Sequence, residues 1–109
     1  MTVYPDTTVD KDIASSSITA LKFFSRWDQK SRMLEETFSE LANYFGDKAK
    51  FIESEINANQ LLAKKFSIQK VPTICLFCKE KMICRIEDIP PKRILREEIE
   101  KYIRRSEFL

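Results

Sequence analysis

The residues with the most chemical potential are three cysteines, Cys75, Cys78 and Cys84, in a chain that has no histidine. The commonest metal ligand, and the side chain that most readily moves protons near neutral pH, is therefore missing. Any reaction would fall to Cys, Asp, Glu, Lys or Tyr. Cys75-Leu76-Phe77-Cys78 has the spacing of a redox or zinc motif, but it lies inside Thr73–Cys78, a nearly continuous apolar run of strand length. On a strand, residues three apart point to opposite faces and sit about 10 Å apart. The two thiols then can neither bond to each other nor share a metal without breaking the strand. Cys84 completes no second pair at zinc-ligand spacing. No metal and no cofactor is expected.

A two-residue hairpin loop at Lys79-Glu80 would set Cys75 opposite Cys84. Cross-strand Cβ atoms lie about 4.5–5.5 Å apart, slightly long for a disulfide. Such loops favour Gly or Asn, so the register stays open, and the pair reads as two small buried hydrophobes. Cys78, at the strand's end, is the possible reactive thiol. With no helix N-terminus to activate it, glutathionylation is the extent of the chemistry expected.

These residues sit in a chain of 109, with 43 % hydrophobic and 33 % charged residues, which suits one globular domain. The 19 basic and 17 acidic residues are spread along it, so the net charge of +2 makes no electrostatic case for nucleic acid or an anionic membrane. Lys101, Arg104 and Arg105 read as a solvated helix end complementing the helix dipole. Met1 to Lys11 lacks the cationic start and apolar stretch of a secretory leader, and no apolar run approaches the roughly 18–20 residues of a membrane helix. An odd number of cysteines without such a leader implies reduced thiols. A cytoplasmic monomer is expected, with the nucleus also open.

The elements that would position these groups begin after a polar segment, residues 1–17. There Thr2 to Tyr4 suits a short edge strand and Val9 to Ala14 a helical turn. Ile18 to Phe24 is an apolar run of strand length. Ser31 to Phe45 carries Met33, Leu34, Phe38, Leu41, Ala42 and Phe45 on one helical stripe, and Gly46, the only glycine, follows where a left-handed cap is wanted. Lys50 to Ile56 reads as a strand and Asn59 to Phe66 as a short helix with Leu61, Leu62 and Phe66 inward. Thr73 to Cys78 should be a central strand covered on both faces. Lys81 to Ile86 is the next strand. Pro90-Pro91 opens a final helix with Ile94, Leu95, Ile99, Tyr102 and Ile103 inward. This order predicts an α/β fold with a central mixed sheet of four to five strands and helices on both faces, the domain proper spanning 18–109.

That order, with Phe23-Phe24-Ser25-Arg26-Trp27 closing the first core strand and Val71-Pro72-Thr73 opening the third, resembles thioredoxin over roughly residues 18 to 104. Ser67-Ile68 fits the family's loop before its cis-proline, and the 31–45 helix its long helix after the active site. The resemblance implies a thioredoxin fold and a cis-Pro72. It also implies a peptide groove around Trp27, Val71, Pro72 and Asp88, where the backbone of Val71 would pair with an extended substrate. Pro72 kept for the fold and Trp27 kept for packing is an equally available reading.

The departures bear on function. Where the family has Trp-Cys-Gly-Pro-Cys-Lys, this chain has Trp27-Asp28-Gln29-Lys30-Ser31-Arg32. Asp28 takes the nucleophile's position and Ser31 the resolving one, and neither a carboxylate nor an alcohol can exchange with a disulfide. Asp28 reads as a helix N-cap. Lys22 stands where the family keeps a buried acid for proton transfer. The family's glycine before the last helix corresponds to Asp88, which should crowd the groove and discourage acidic segments, and its hairpin glycine to Glu80. The resemblance therefore implies a redox-inactive module, not an enzyme, that binds a protein or extended peptide. Phe51 to Pro72 with the long helix looks most similar to the thioredoxin-like domains of multidomain monothiol glutaredoxins, which assist iron–sulfur and iron-regulatory functions through partners. No glutaredoxin domain follows, so a fragment and a free-standing relative are both compatible. The alternatives are an atypical oxidoreductase or redox sensor using a non-motif cysteine, and a peptide-binding chaperone or complex subunit.

Overall fold

Alternating strand-length and helix-length apolar runs resolve into nine main elements in the computed structural model, which describes residues 2–3 and 6–107. They are β1 (Thr2–Val3), α1 (Asp6–Ser15), β2 (Ile18–Phe24), α2 (Gln29–Phe45), β3 (Lys50–Glu55), α3 (Gln60–Lys65), β4 (Thr73–Cys78), β5 (Lys81–Glu87) and α4 (Lys92–Ser106). Tyr4, proposed as the end of the edge strand, lies outside the described residues. No helix among the described residues is long and apolar enough to cross a membrane.

The strands form one mixed sheet in the order β1-β3-β2-β4-β5. β1 and β2 run parallel to β3, whereas β4 runs antiparallel to both β2 and β5. A buried cluster lies on each face. Ile18, Ala20, Ile74 and Leu76 pack with Leu34, Phe38 and Leu41 of α2 and with Leu95 and Ile99 of α4. On the other face Leu21, Phe23, Ile52, Cys75 and Phe77 pack with Val9 and Ile13 of α1 and with Leu62 of α3. The polar N-terminal segment thus contributes an edge strand and two core side chains. β2 and β4 are buried on both faces and carry the α/β thioredoxin fold; β5 is the exposed edge.

The hairpin turn at Lys79-Glu80 does not place Cys75 opposite Cys84. Cys78 pairs with Lys81 and Phe77 with Met82, but an irregularity between Leu76 and Phe77 then sets Leu76 against Cys84 and Cys75 against Arg85. One extra residue in β5 inverts the faces of everything beyond it. Cys75, held in the unbroken β2–β4 register, lies in the core under α1 and α3, whereas the extra residue turns Cys84 to the core under α2 and α4. The positive φ of the hairpin falls on Lys79 (54°), not on Glu80.

Three stripe residues point outward. Met33 is 60 % exposed, Leu61 75 % and Ile94 40 %, because a helix laid on a sheet buries only the centre of its apolar arc. The two prolines precede α4 instead of opening its first turn, with Pro91 as N-cap. Gly46 has φ 58° and donates its N–H to Ala42 O, closing α2 in a conformation that disfavours other residues.

Candidate functional site

The candidate site lies where β2 hands the chain to α2. Phe24 O accepts the Ile56 N–H at 2.9 Å, tying the end of β2 to the end of β3. The chain then turns, Asp28 N–H reaching Ser25 O at 3.0 Å. Asp28 has extended φ/ψ (−91°, 126°), and its Oδ2 accepts the Ser31 N–H at 2.8 Å. It is a helix N-cap satisfying an orphan amide of the first turn, an arrangement worth about 1 kcal/mol. Ser31 is buried at 2 % exposure, and its Oγ accepts the Ser25 N–H at 3.3 Å. Both positions that the resemblance assigns to thiols are thus engaged in holding the turn together.

Around this turn stand the other expected groove residues. Trp27 projects outward, 83 % exposed. Pro72 is buried behind a cis Val71–Pro72 bond, and Val71 is half-buried. Asp88, with φ 71°, donates its N–H to Pro72 O at 3.2 Å, which seats the loop before α4 against the proline. Its carboxylate meets Lys30 of α2 at 3.2 Å. The hydrogen bond and charge of Lys30 hold the Asp88 carboxyl below the usual aspartate range. The Asp88 side chain that the sequence places at the groove is thus paired with Lys30, both side chains standing more than half exposed.

Two features escape a reading of the sequence. The first is Glu55, 5 % exposed, which accepts the N–H groups of Arg26 (3.1 Å), Asn57 (2.7 Å) and Ala58 (3.1 Å). It clamps the turn carrying Trp27 to the loop between β3 and α3. Burial pushes the carboxyl up, but the backbone donors and the Asn57 amide outweigh it, and the group titrates below its ordinary value of 4.5. A depressed folded-state value means stability that is present above the ordinary glutamate range and lost as pH falls through the folded value. Glu55→Gln is therefore expected to cost about 2 kcal/mol at pH 7, and the deficit should shrink as pH drops below about 4. Urea midpoints of both proteins at pH 7 and pH 3.5 check this; a deficit unchanged between the two would sink it.

The second is a buried ion pair. Lys22, 1 % exposed, sits directly across from Glu53 in the β2–β3 register, with Nζ 2.7 Å from the carboxylate. The same ammonium lies 4.9 Å from the Phe38 ring centroid and 5.2 Å from that of Phe24. A chamber of about 250 Å³, lined by Lys22, Ser31, Arg32, Glu35 and Glu53 among others, lies beside the pair under the α2 turn. A lysine inside an apolar run signals an unusual site, but its partner is legible only once strand register is known.

The three cysteines are not part of this constellation. Burial pushes the Cys75 thiol up to about 11 and raises Cys84 as well. Cys78 is half-buried at the far end of β4, and all three are free thiols. Among the described residues no group of His, Cys, Asp and Glu could hold a metal ion.

Residues 1–101 match the family model described as Thioredoxin. "Thioredoxin 2" of Plasmodium falciparum is 30 % identical over 70 residues, covering 64 % of this chain and 45 % of that protein. A thioredoxin of Staphylococcus saprophyticus is 26 % identical over 98 residues, covering 90 % and 93 %. Among solved structures, a mutant thioredoxin from Halobacterium salinarum superposes with a TM-score of 0.86 at 23 % identity, over 94 % of this chain and 89 % of the other. Fasciola hepatica thioredoxin gives 0.85 at 22 %, over 94 % and 99 %.

Proposed function

This chain belongs to the thioredoxin family, and we propose that within it the protein is a redox-inactive adaptor that binds a protein partner through the groove around Trp27, Val71 and Pro72. One observation carries the reading. The first turn of α2, where helix amides would stabilise a thiolate, is occupied by the Asp28 carboxylate bonded to the Ser31 amide. Disulfide exchange needs a thiolate there and a second thiol to release the mixed disulfide. The nearest thiols by sequence lie in β4 and β5, and Cys75 at about 11 is almost wholly protonated at neutral pH.

Binding is supported by the groove itself. Trp27 is exposed, and the N–H and C=O of Val71 have no hydrogen-bond partner among the described residues. Such a backbone can accept an extended segment by strand addition. The test combines an insulin-reduction assay with partner retention on the immobilised protein. No turnover is expected, together with retained proteins that are lost from both Trp27→Ala and Val71→Asp. Turnover comparable to a thioredoxin, or retention unchanged in both variants, would overturn the proposal.

A further inference from the structure

A concavity of about 450 Å³ opens between α3 and the 66–71 loop, immediately beside Val71. Ile56, Ala63, Ile68 and Val71 give it an apolar floor, and Lys64 and Lys70 stand on its wall. Its shape is held by neighbouring strands: Arg85 of β5 donates to the carbonyls of Phe66 and Ser67, and Thr73 Oγ1 donates to Lys70 O at 2.7 Å.

The charges around it are lopsided. The acids at the rim are occupied, Asp88 by Lys30 at 3.2 Å and, more loosely, Glu87 by Lys70 at 3.8 Å. Asp28 is committed to the Ser31 amide. Of the two lysines on the wall, Lys64 has no ion-pair partner among the described residues and Lys70 only the loose contact with Glu87. The lining itself carries two lysines and no acid, so a segment docking here meets net positive charge around an apolar floor, next to an unpaired backbone.

We infer that this concavity selects the partner: it takes an extended acidic peptide carrying one apolar side chain, with that side chain on the Ile56–Ile68 floor and carboxylates against Lys64 and Lys70. The inference rests on the groove reading above and names the chemistry of its ligand. In an extended peptide added at Val71, residues on either side of the apolar one lie within about 7 Å of it, inside the sweep of a lysine side chain. Complementary charge of this kind sets specificity and association rate more than raw affinity.

Fluorescence anisotropy of three labelled, end-capped peptides tests it against the full chain at low salt. One has a central leucine flanked by two acidic residues on each side, one has lysines in place of the acids, and one has serine in place of leucine. The acidic leucine peptide is expected to bind at least about 10-fold tighter than either control, weakening as salt is raised. Lys64→Glu combined with Lys70→Glu, both on the surface, should reverse the order of the acidic and basic peptides. Equal affinity for those two, with both weakened by Trp27→Ala, would overturn the selectivity and leave the groove standing. No saturable binding of any peptide would overturn both.

Discussion

Replacing Glu53 by alanine is expected to lower the folding free energy by about 3–5 kcal/mol, the largest loss from any single change outside the hydrophobic core. The reason is what remains. Lys22 is 1 % exposed, its ammonium faces the rings of Phe24 and Phe38, and Glu53 at 2.7 Å is its counter-charge. The rings offer an ammonium a cation–π contact worth up to about 2 kcal/mol, less than the desolvation of an uncompensated charge. Domains of this size have about 5–15 kcal/mol to lose, so the variant should unfold at a markedly lower urea concentration. Lys22→Met combined with Glu53→Ala separates the cost of an orphaned charge from the value of the pair. It should recover most of the loss, since a methionine fills the same space without needing a partner. If Glu53→Ala costs less than about 1 kcal/mol, the chamber admits enough water to solvate Lys22 and the site is not dry.

The pair also illustrates where the sequence is readable and where it is not. The limits of β4 follow from its continuous apolar character, and the end of α2 from its stripe and Gly46. These depend on neighbours along the chain, which is why periodicity and capping reveal them. The Lys22–Glu53 pair, the Glu55 clamp and the placement of Cys84 depend on how separate strands and loops come together. A lysine in an apolar run reads equally as a strand end or a buried charge until β3 is laid beside β2. Glu55 reads as an ordinary acid at a strand end, because the amides of Arg26, Asn57 and Ala58 converge on it only after folding. For the cysteines, a single residue of irregularity in β5 decides which face of the sheet receives Cys84. The exposure of Met33, Leu61 and Ile94 has the same origin: the stripe shows which side of a helix is apolar, not how far round the sheet covers it.

Exchange chemistry should return when thiols are put back at the head of α2. The double change Asp28→Cys with Ser31→Cys is expected to raise insulin reduction by at least about 100-fold over the unaltered chain. Position 28 is the N-cap, with its side chain already held 2.8 Å from the Ser31 amide nitrogen. A thiolate there would gain the same amides and the positive end of the helix dipole, lowering its pKa from about 8.5 toward 7. Position 31 is buried at 2 % exposure, so its thiol is screened from outside disulfides and reachable by its neighbour. That asymmetry suits the reaction. The thiolate at 28 attacks a substrate disulfide and releases one substrate thiolate. The thiol at 31 then loses its proton, attacks the mixed disulfide and releases the second, leaving the 28–31 pair oxidised until an added reductant restores it. Asp28→Cys alone should stop at the mixed disulfide, detectable by mass and without turnover. Losing the carboxylate cap costs about 1 kcal/mol, too little to unfold the domain. If the double variant folds, exposes the thiol at 28 and still does not turn over, inactivity resides in more than the missing thiols, and the buried Lys22–Glu53 pair beneath the turn becomes the group to exchange next.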